Sequence, residues 1–221
     1  ELVAAADATW VVSEHERGQL AQLQPQARVQ VVSNIHELAP DTPGFGERRD
    51  LVFVGGFVHL PNIDAVLWLA REILPRLRER LPALRLHVVG GNAPAQVLAL
   101  AGTPGLELHG QVDALDALLD ACRVSVAPLR FGAGVKGKVN QAMARGLPVV
   151  ATSCAAEGMH LRDGADVLLA DDTDAFVHAV LRAHEDAVLW QRLREGGYAN
   201  TRKFFSPEAA RSALQPWLAS L

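Results

Sequence analysis

The feature that most constrains this chain is an alternation. Short, continuously apolar runs of strand length recur along it, and most are followed by stretches with helical periodicity. The runs fall at residues 9–12, 29–33, 51–54, 84–89, 106–109, 124–127, 148–152 and 167–170. A strand solvated on one face alternates apolar and polar residues, whereas an unbroken apolar run marks a strand buried on both faces, as in a parallel sheet. The intervening segments predict helices at 62–80, 115–121, 138–145, 174–184 and 187–204, and a last one from Ser206-Pro207-Glu208 to Leu218. In the first of these, Ile63, Val66, Leu67, Ala70, Ile73, Leu74 and Leu77 form one apolar stripe. Ser206 at the cap and Pro207 in the first turn are start signals for the last. Alternating strands and helices mean an α/β fold, a doubly wound parallel sheet.

With 221 residues the chain holds one substantial domain and part of another, since single domains mostly contain about 100–200 residues. It opens at Glu1 in mid-pattern and is read as a piece of a longer polypeptide. Apolar residues make up 49% and aromatics 5%, so Leu, Val and Ala must build the core. The 21 basic and 25 acidic residues give a net charge of −4 with no long basic run, which argues against a nucleic-acid partner. No stretch approaches the ~18 apolar residues of a membrane span, and no signal peptide is evident. Cys122 and Cys154 both lie in apolar stretches and are expected to be buried, reduced thiols. The Pro- and Gly-rich stretch at 38–46 interrupts the alternation. Residues 1–37 therefore read as the tail of a preceding domain, 38–50 as a linker, 51–205 as the main domain and 206–221 as a C-terminal helix.

In the common doubly wound strand order 3-2-1-4-5-6, counting from Leu51, strands one and four are neighbours and a crevice opens at their carboxyl ends. The two most glycine-marked loops fall there. Strand one runs into Gly55-Gly56, and strand four runs through Pro128-Leu129-Arg130 into Phe131-Gly132-Ala133-Gly134-Val135-Lys136-Gly137-Lys138. Glycines let backbone approach a ligand, and the second loop delivers it to a helix N-terminus, whose open N–H groups and dipole attract a phosphate. Arg130, Lys136 and Lys138 add charge. Gly132 to Lys138 matches the opening of a Walker A loop, but Val139 stands where a magnesium-binding hydroxyl is required, and the loop follows the fourth strand. A sharp turn without ligand is the plain alternative.

The run from Pro128 to Thr152, followed by Ala156-Glu157-Gly158-Met159, resembles the group 1 glycosyltransferases of GT-B fold. So do Phe53-Val54-Gly55-Gly56-Phe57 with Pro61-Asn62 and Asp64, and the closing Asp163-Gly164 and Leu168-Leu169-Ala170-Asp171-Asp172. The resemblance implies a two-domain enzyme. Its C-terminal Rossmann-like domain holds a nucleotide-diphosphate sugar, and an N-terminal domain, mostly absent from this sequence, holds the acceptor. By motif position it places Gly55, Gly56, Gly134, Lys136 and Lys138 at the donor diphosphate, and Gly110, Gln111, Val112 and Gln141 at the nucleoside. His59, Arg130 and Glu157 are candidate sugar or phosphate contacts, with a surface histidine and a solvated loop acid as the ordinary readings of the first and last. The family often carries two Glu eight residues apart; here those positions hold Ala133 and Gln141, so no catalytic residue is assigned. The resemblance further implies no cofactor and no metal, the nucleotide sugar as donor substrate, and an acceptor saccharide or lipid-linked glycan. It places the activity in surface polysaccharide or glycoconjugate synthesis, in the cytoplasm or peripheral to the inner membrane, with retention of configuration and no turnover by this fragment alone. A non-catalytic donor-binding module, an epimerase on the same scaffold and a P-loop hydrolase are the competing readings. Asp172-Thr173-Asp174 reads as a helix cap rather than a metal motif, and the histidines show no metal-ligand spacing.

Overall fold

The computed structural model describes residues 2–219. A short helix α1 (Leu2–Ala5) precedes β1 (Thr9–Val11), α2 (Glu14–Leu23) and β2 (Val29–Val31). The two strands form a small parallel sheet of their own. Ser13 caps α2, its hydroxyl accepting from the Glu16 N–H.

The main sheet comprises β3 (Leu51–Val54), β4 (Leu86–Val89), β5 (Leu106–Gly110), β6 (Val124–Ala127), β7 (Val149–Ala151) and β8 (Leu168–Leu169). All neighbours are parallel, in the order β5-β4-β3-β6-β7-β8. This is the 3-2-1-4-5-6 arrangement expected from the apolar runs, and β3, β4, β6 and β7 are buried almost throughout. The helices that cover the sheet are α3 (Leu60–Trp68), α4 (Leu74–Arg80), α5 (Ala95–Leu98), α6 (Leu115–Ala121), α7 (Gly137–Ala144), α8 (Ser153–Ala156), α9 (Thr173–Glu185) and α10 (Ala187–Phe204). The last, α11 (Pro207–Leu218), begins at the Ser206 cap. Asp172 caps α9, its carboxylate accepting from the Ala175 N–H.

The helix expected at 62–80 is one helical path with a π-turn, Leu69–Ile73, between α3 and α4. There the Leu74 N–H reaches back five residues to the Leu69 carbonyl. Pro75 has no N–H to donate, and the wider turn just before it accommodates that gap without ending the helix.

The Pro- and Gly-rich stretch expected as a linker carries only a 3₁₀ turn, Phe45–Glu47, yet it is fastened down. Arg48, with its side chain fully buried, donates to the carbonyls of Pro43, Leu119, Cys122 and Arg145. Arg194 and Tyr198 on α10 hold Thr42 and Ala39. A charge out of water is tolerated because every one of its N–H sides finds an acceptor.

Candidate functional site

The carboxyl end of β3 and the start of α3 form one wall of the crevice. Gly55 is buried, and a Cβ there would lie 2.7 Å from both the Asn62 side chain and Lys138 Nζ. Gly90, just past β4, is tighter still, since its Cβ would come within 2.0 Å of the Gly55 carbonyl oxygen. Both positions require glycine because of close approach. Asn62 links the parts: its amide Nδ2 donates to the Gly56 carbonyl at 2.7 Å, and its Oδ1 accepts from Lys138 Nζ. His59 precedes α3 as an exposed N-cap whose side chain caps nothing.

The other wall follows β6. The Thr152 hydroxyl donates to the Leu129 carbonyl at 2.5 Å and ties this wall to the start of α8. Arg130 is engaged bidentately by Asp64, at 2.8 and 2.5 Å, and its guanidinium lies 5.2 Å from the centre of the Trp68 ring. Its charge is thus largely answered by protein. Gly132 and Gly134 have φ of 117° and 81°, the left-handed region that side chains disfavour. Lys136 Nζ donates to the carbonyls of Gly132 and Gly134 at 3.2 and 2.6 Å and curls the loop over itself. The walls touch where a Cβ on Gly132 would meet Pro61 at 3.1 Å.

The loop then enters α7, whose N-cap, Lys136, offers no side-chain acceptor. The Val139 N–H donates to the Lys136 carbonyl at 2.8 Å, and no side chain caps the N–H groups before it, at the positive end of the helix. Lys138 sits in that turn with Nζ 4.6 Å from the centre of the Phe53 ring. Burial, helped by the neighbouring Lys136 charge, lowers its pKa from the ordinary 10.5 to about 7. Asn62, a neutral amide, cannot compensate the charge that burial penalises. An anion could.

Gly110, Gln111 and Val112 lie further along the same carboxyl edge. The Gly110 carbonyl accepts from the Gly90 N–H at 2.8 Å, and the Gln111 side chain lies within 3.4 Å of where a Gly91 Cβ would stand. Gln141 is half-buried one turn beyond Lys138, on the same face of α7. Exposed Glu157 ends α8, and the next residue, Gly158, faces Ser13 of the small layer.

One expectation needs correction. Cys122 is buried, and its thiol pKa is raised to about 12 by that burial, but Cys154 is only half-buried, with its sulfur 3.5 Å from the Gly132 carbonyl. α8 begins at the sheet's carboxyl edge, so the apolar stretch around Cys154 does not end in the core. Along the chain the histidines show no metal-ligand spacing, but the fold brings His87 and His109 together with Glu107. Spacing along the chain could not reveal this, because His87 and Glu107 are joined by strand pairing. The contacts of Gly90 and Asn62 were missed for the same reason.

Residues 48–186, more than half the chain, match the family model of the group 1 glycosyl transferases. The chain belongs to the group 1 glycosyltransferases. A curated relative, described as an uncharacterised 44.6 kDa protein in the cps region of Klebsiella pneumoniae, is 25% identical over 140 residues, covering 60% of this chain and 36% of its own. Among solved structures, TarM, known from S. aureus, aligns with TM-score 0.80 and 16% identity over 99% of this chain and 44% of its own. Sucrose-phosphate synthase from Thermosynechococcus elongatus aligns with TM-score 0.73 and 20% identity over 97% and 58%. Anabaena HepE, solved with UDP-glucose, aligns with TM-score 0.72 and 16% identity over 98% and 64%. At these identities the solved structures establish the glycosyltransferase GT-B fold. The chain spans about a third to two thirds of the lengths of these proteins.

Proposed function

We propose that this chain is the donor-binding part of a glycosyltransferase that moves a sugar from a nucleotide-diphosphate donor to an acceptor saccharide or lipid-linked glycan in surface polysaccharide or glycoconjugate synthesis. The observation that carries this reading is Lys138. It is a desolvated lysine at the N-terminus of α7, held by Asn62 where the Gly55-Gly56 loop and the Gly132–Gly134 loop converge. A diphosphate seated there meets Lys138, the uncapped N–H groups of α7 and, once uncurled from its loop, Lys136. Those groups stabilise the negative charge that grows on the diphosphate as the glycosidic bond breaks, with no metal or other cofactor required. Gly110–Val112 and Gln141 line the direction in which the nucleoside extends; His59 and Glu157 flank the sugar. The acceptor is held by protein outside these residues, so the chain alone does not turn over, and the configuration at the donor sugar is retained. The cps-region relative and WaaG, a glycosyltransferase involved in lipopolysaccharide biosynthesis, support the choice of acceptor class. In this reading the work is done in the cytoplasm or peripherally at the inner membrane. Among the described residues no helix is long and apolar enough to cross a membrane.

Titration calorimetry against UDP, GDP, dTDP and ATP, with and without Mg²⁺, tests the reading. Metal-independent binding of one nucleoside diphosphate, weakened in Lys138→Met, is expected; binding of ATP only with Mg²⁺ overturns it. A second reading, a donor-binding module without turnover, is favoured by Ala133 and Gln141 in place of two acids. It predicts diphosphate binding but no sugar transfer by the full-length protein.

A further inference from the structure

Away from the crevice, β4 and β5 bring three ligand-type side chains together at the edge of the sheet. We propose that His87, Glu107 and His109 form a binding site for a divalent transition-metal ion, zinc by the chemistry of its ligands, that staples the edge strand to its neighbour. The register places His87 opposite Glu107. Glu107 and His109 are alternate residues of β5 and so share a face. Val88 pairs with Leu108 but Val89 with Gly110, so His109 is the extra residue of a bulge, the device by which a sheet re-aims one side chain.

The three ligand atoms have the spacing that a metal needs. His87 Nδ1 and His109 Nε2 are 2.9 Å apart, and Glu107 Oε2 lies 3.2 Å from the first and 3.7 Å from the second. Ligands on a tetrahedral zinc with bonds of about 2.0–2.1 Å stand about 3.3–3.4 Å from one another, which these separations bracket. The proton inventory points the same way. His87 Nε2 faces the Asp50 carboxylate at 3.5 Å, an acceptor that calls for the N–H on that nitrogen. His87 Nδ1 is then a bare lone pair directed at Glu107 Oε2 and His109 Nε2. That lone pair, the Glu107 carboxylate and the His109 ring nitrogen converge on one point. A cation among them satisfies all three.

The surroundings are those of a metal site. Asp50 backing the far nitrogen of His87 is the carboxylate–histidine arrangement that orients a ligand imidazole. Arg85 braces Asp50 at 2.8 and 3.0 Å and takes Glu107 Oε1 at 3.2 Å, leaving Oε2 to the ion. His87 is buried, while the Glu107 and His109 side chains are 38% and 30% exposed. The ion enters from solvent, and water completes its coordination. Two imidazoles and one carboxylate suit zinc, and cobalt as its spectroscopic substitute.

The chain, stripped with a chelator, is titrated with Zn²⁺ and Co²⁺. One ion per chain is expected, with tetrahedral visible bands from Co²⁺, their loss on adding Zn²⁺, and a higher Tm in the loaded protein. His109→Ala and Glu107→Ala, both at partly exposed positions, should remove the bands and the rise in Tm while leaving the stripped protein folded. Asp50→Asn should weaken binding about 10–100-fold, and His178→Ala should change nothing. Binding that survives His109→Ala, a Co²⁺ spectrum like that of the aqueous ion, or no rise in Tm at saturation overturns the site and leaves a hydrogen-bonded histidine pair.

Discussion

The wall of the crevice that follows β3 is packed to the limit of backbone contact, with Gly90 against the Gly55 carbonyl and Gly55 against Asn62 and Lys138. The wall that follows β6 is loose by comparison. A Cβ built on Gly134 would meet only the end of the Glu16 side chain, at 3.8 Å, Phe131 is half in solvent, and Lys136 is satisfied by carbonyls of its own loop. The contrast separates two roles that look alike in the sequence. In the proposed function, the β3 wall would fix where a diphosphate sits and the β6 wall would supply the more adaptable side. The two lysines divide accordingly, one desolvated and held across the crevice, the other close to solvent and tied locally.

The sharpest way to break this comparison is Gly55→Ala. A methyl group 2.7 Å from both Asn62 and Lys138 must displace them. Stability should fall by about 1–3 kcal/mol, and heat of nucleoside-diphosphate binding should vanish. The next effect is Lys138→Met, which keeps the bulk and removes the charge. Loss of charge-assisted hydrogen bonds worth about 1.5–3 kcal/mol should raise Kd about 10- to 150-fold. Retained affinity would mean that the tight wall does not hold the diphosphate.

Proton linkage gives a third measure. Between about 7 and 10.5 the unfolded chain keeps its proton on Lys138 while the free folded protein loses it. The unfolded state then binds more protons, so this residue makes stability rise with pH through that window. Thermal melts across it should show the rise in the parent and not in Lys138→Met. An anion at Lys138 restores the proton, so diphosphate binding near pH 8 should take up close to one proton, seen as buffer-dependent heats. Heats independent of buffer would contradict a deprotonated lysine. The smallest effect belongs to Lys136→Ala, which should raise Kd about 2- to 12-fold, the worth of one modest hydrogen bond at about 0.5–1.5 kcal/mol. A loss larger than that of Lys138→Met would reverse the roles of the two walls.

Much of the fold was legible in the sequence because burial on both faces writes itself into strands as unbroken runs. β3 and β6 span the residues expected, and the switch point between them follows from strand order. The short helices α5 and α8 escaped, since four residues show no period. So did the π-turn before Pro75, which is a matter of backbone hydrogen bonds. In the site, the glycine loops and the lysines could be read locally. What they do to one another could not: the Asn62–Lys138 contact joins residues 76 positions apart, and the Gly90–Gly55 approach depends on pairing between β3 and β4. The His87–Glu107–His109 cluster depends likewise on register, since only Glu107 and His109, two apart, carry a local sign.

The crossing between the small layer and the main sheet has a mechanical consequence. The chain passes between them at Ser33–Ile35 and again at Phe205–Ser206, and the two passages are stitched by the His36 N–H donating to the Phe205 carbonyl at 2.7 Å. From Ala39 to Arg48 the backbone is clamped to α10 and to the ends of α6 and α7. At the other end, Trp217 of α11 meets Trp10 of β1 edge-on at 4.9 Å, so the last helix travels with the small layer. Any swing of that layer over the crevice therefore turns about the two backbone passages joined at His36 and Phe205. The Pro- and Gly-rich stretch beyond them, for all its look of a flexible tether, belongs to the door frame.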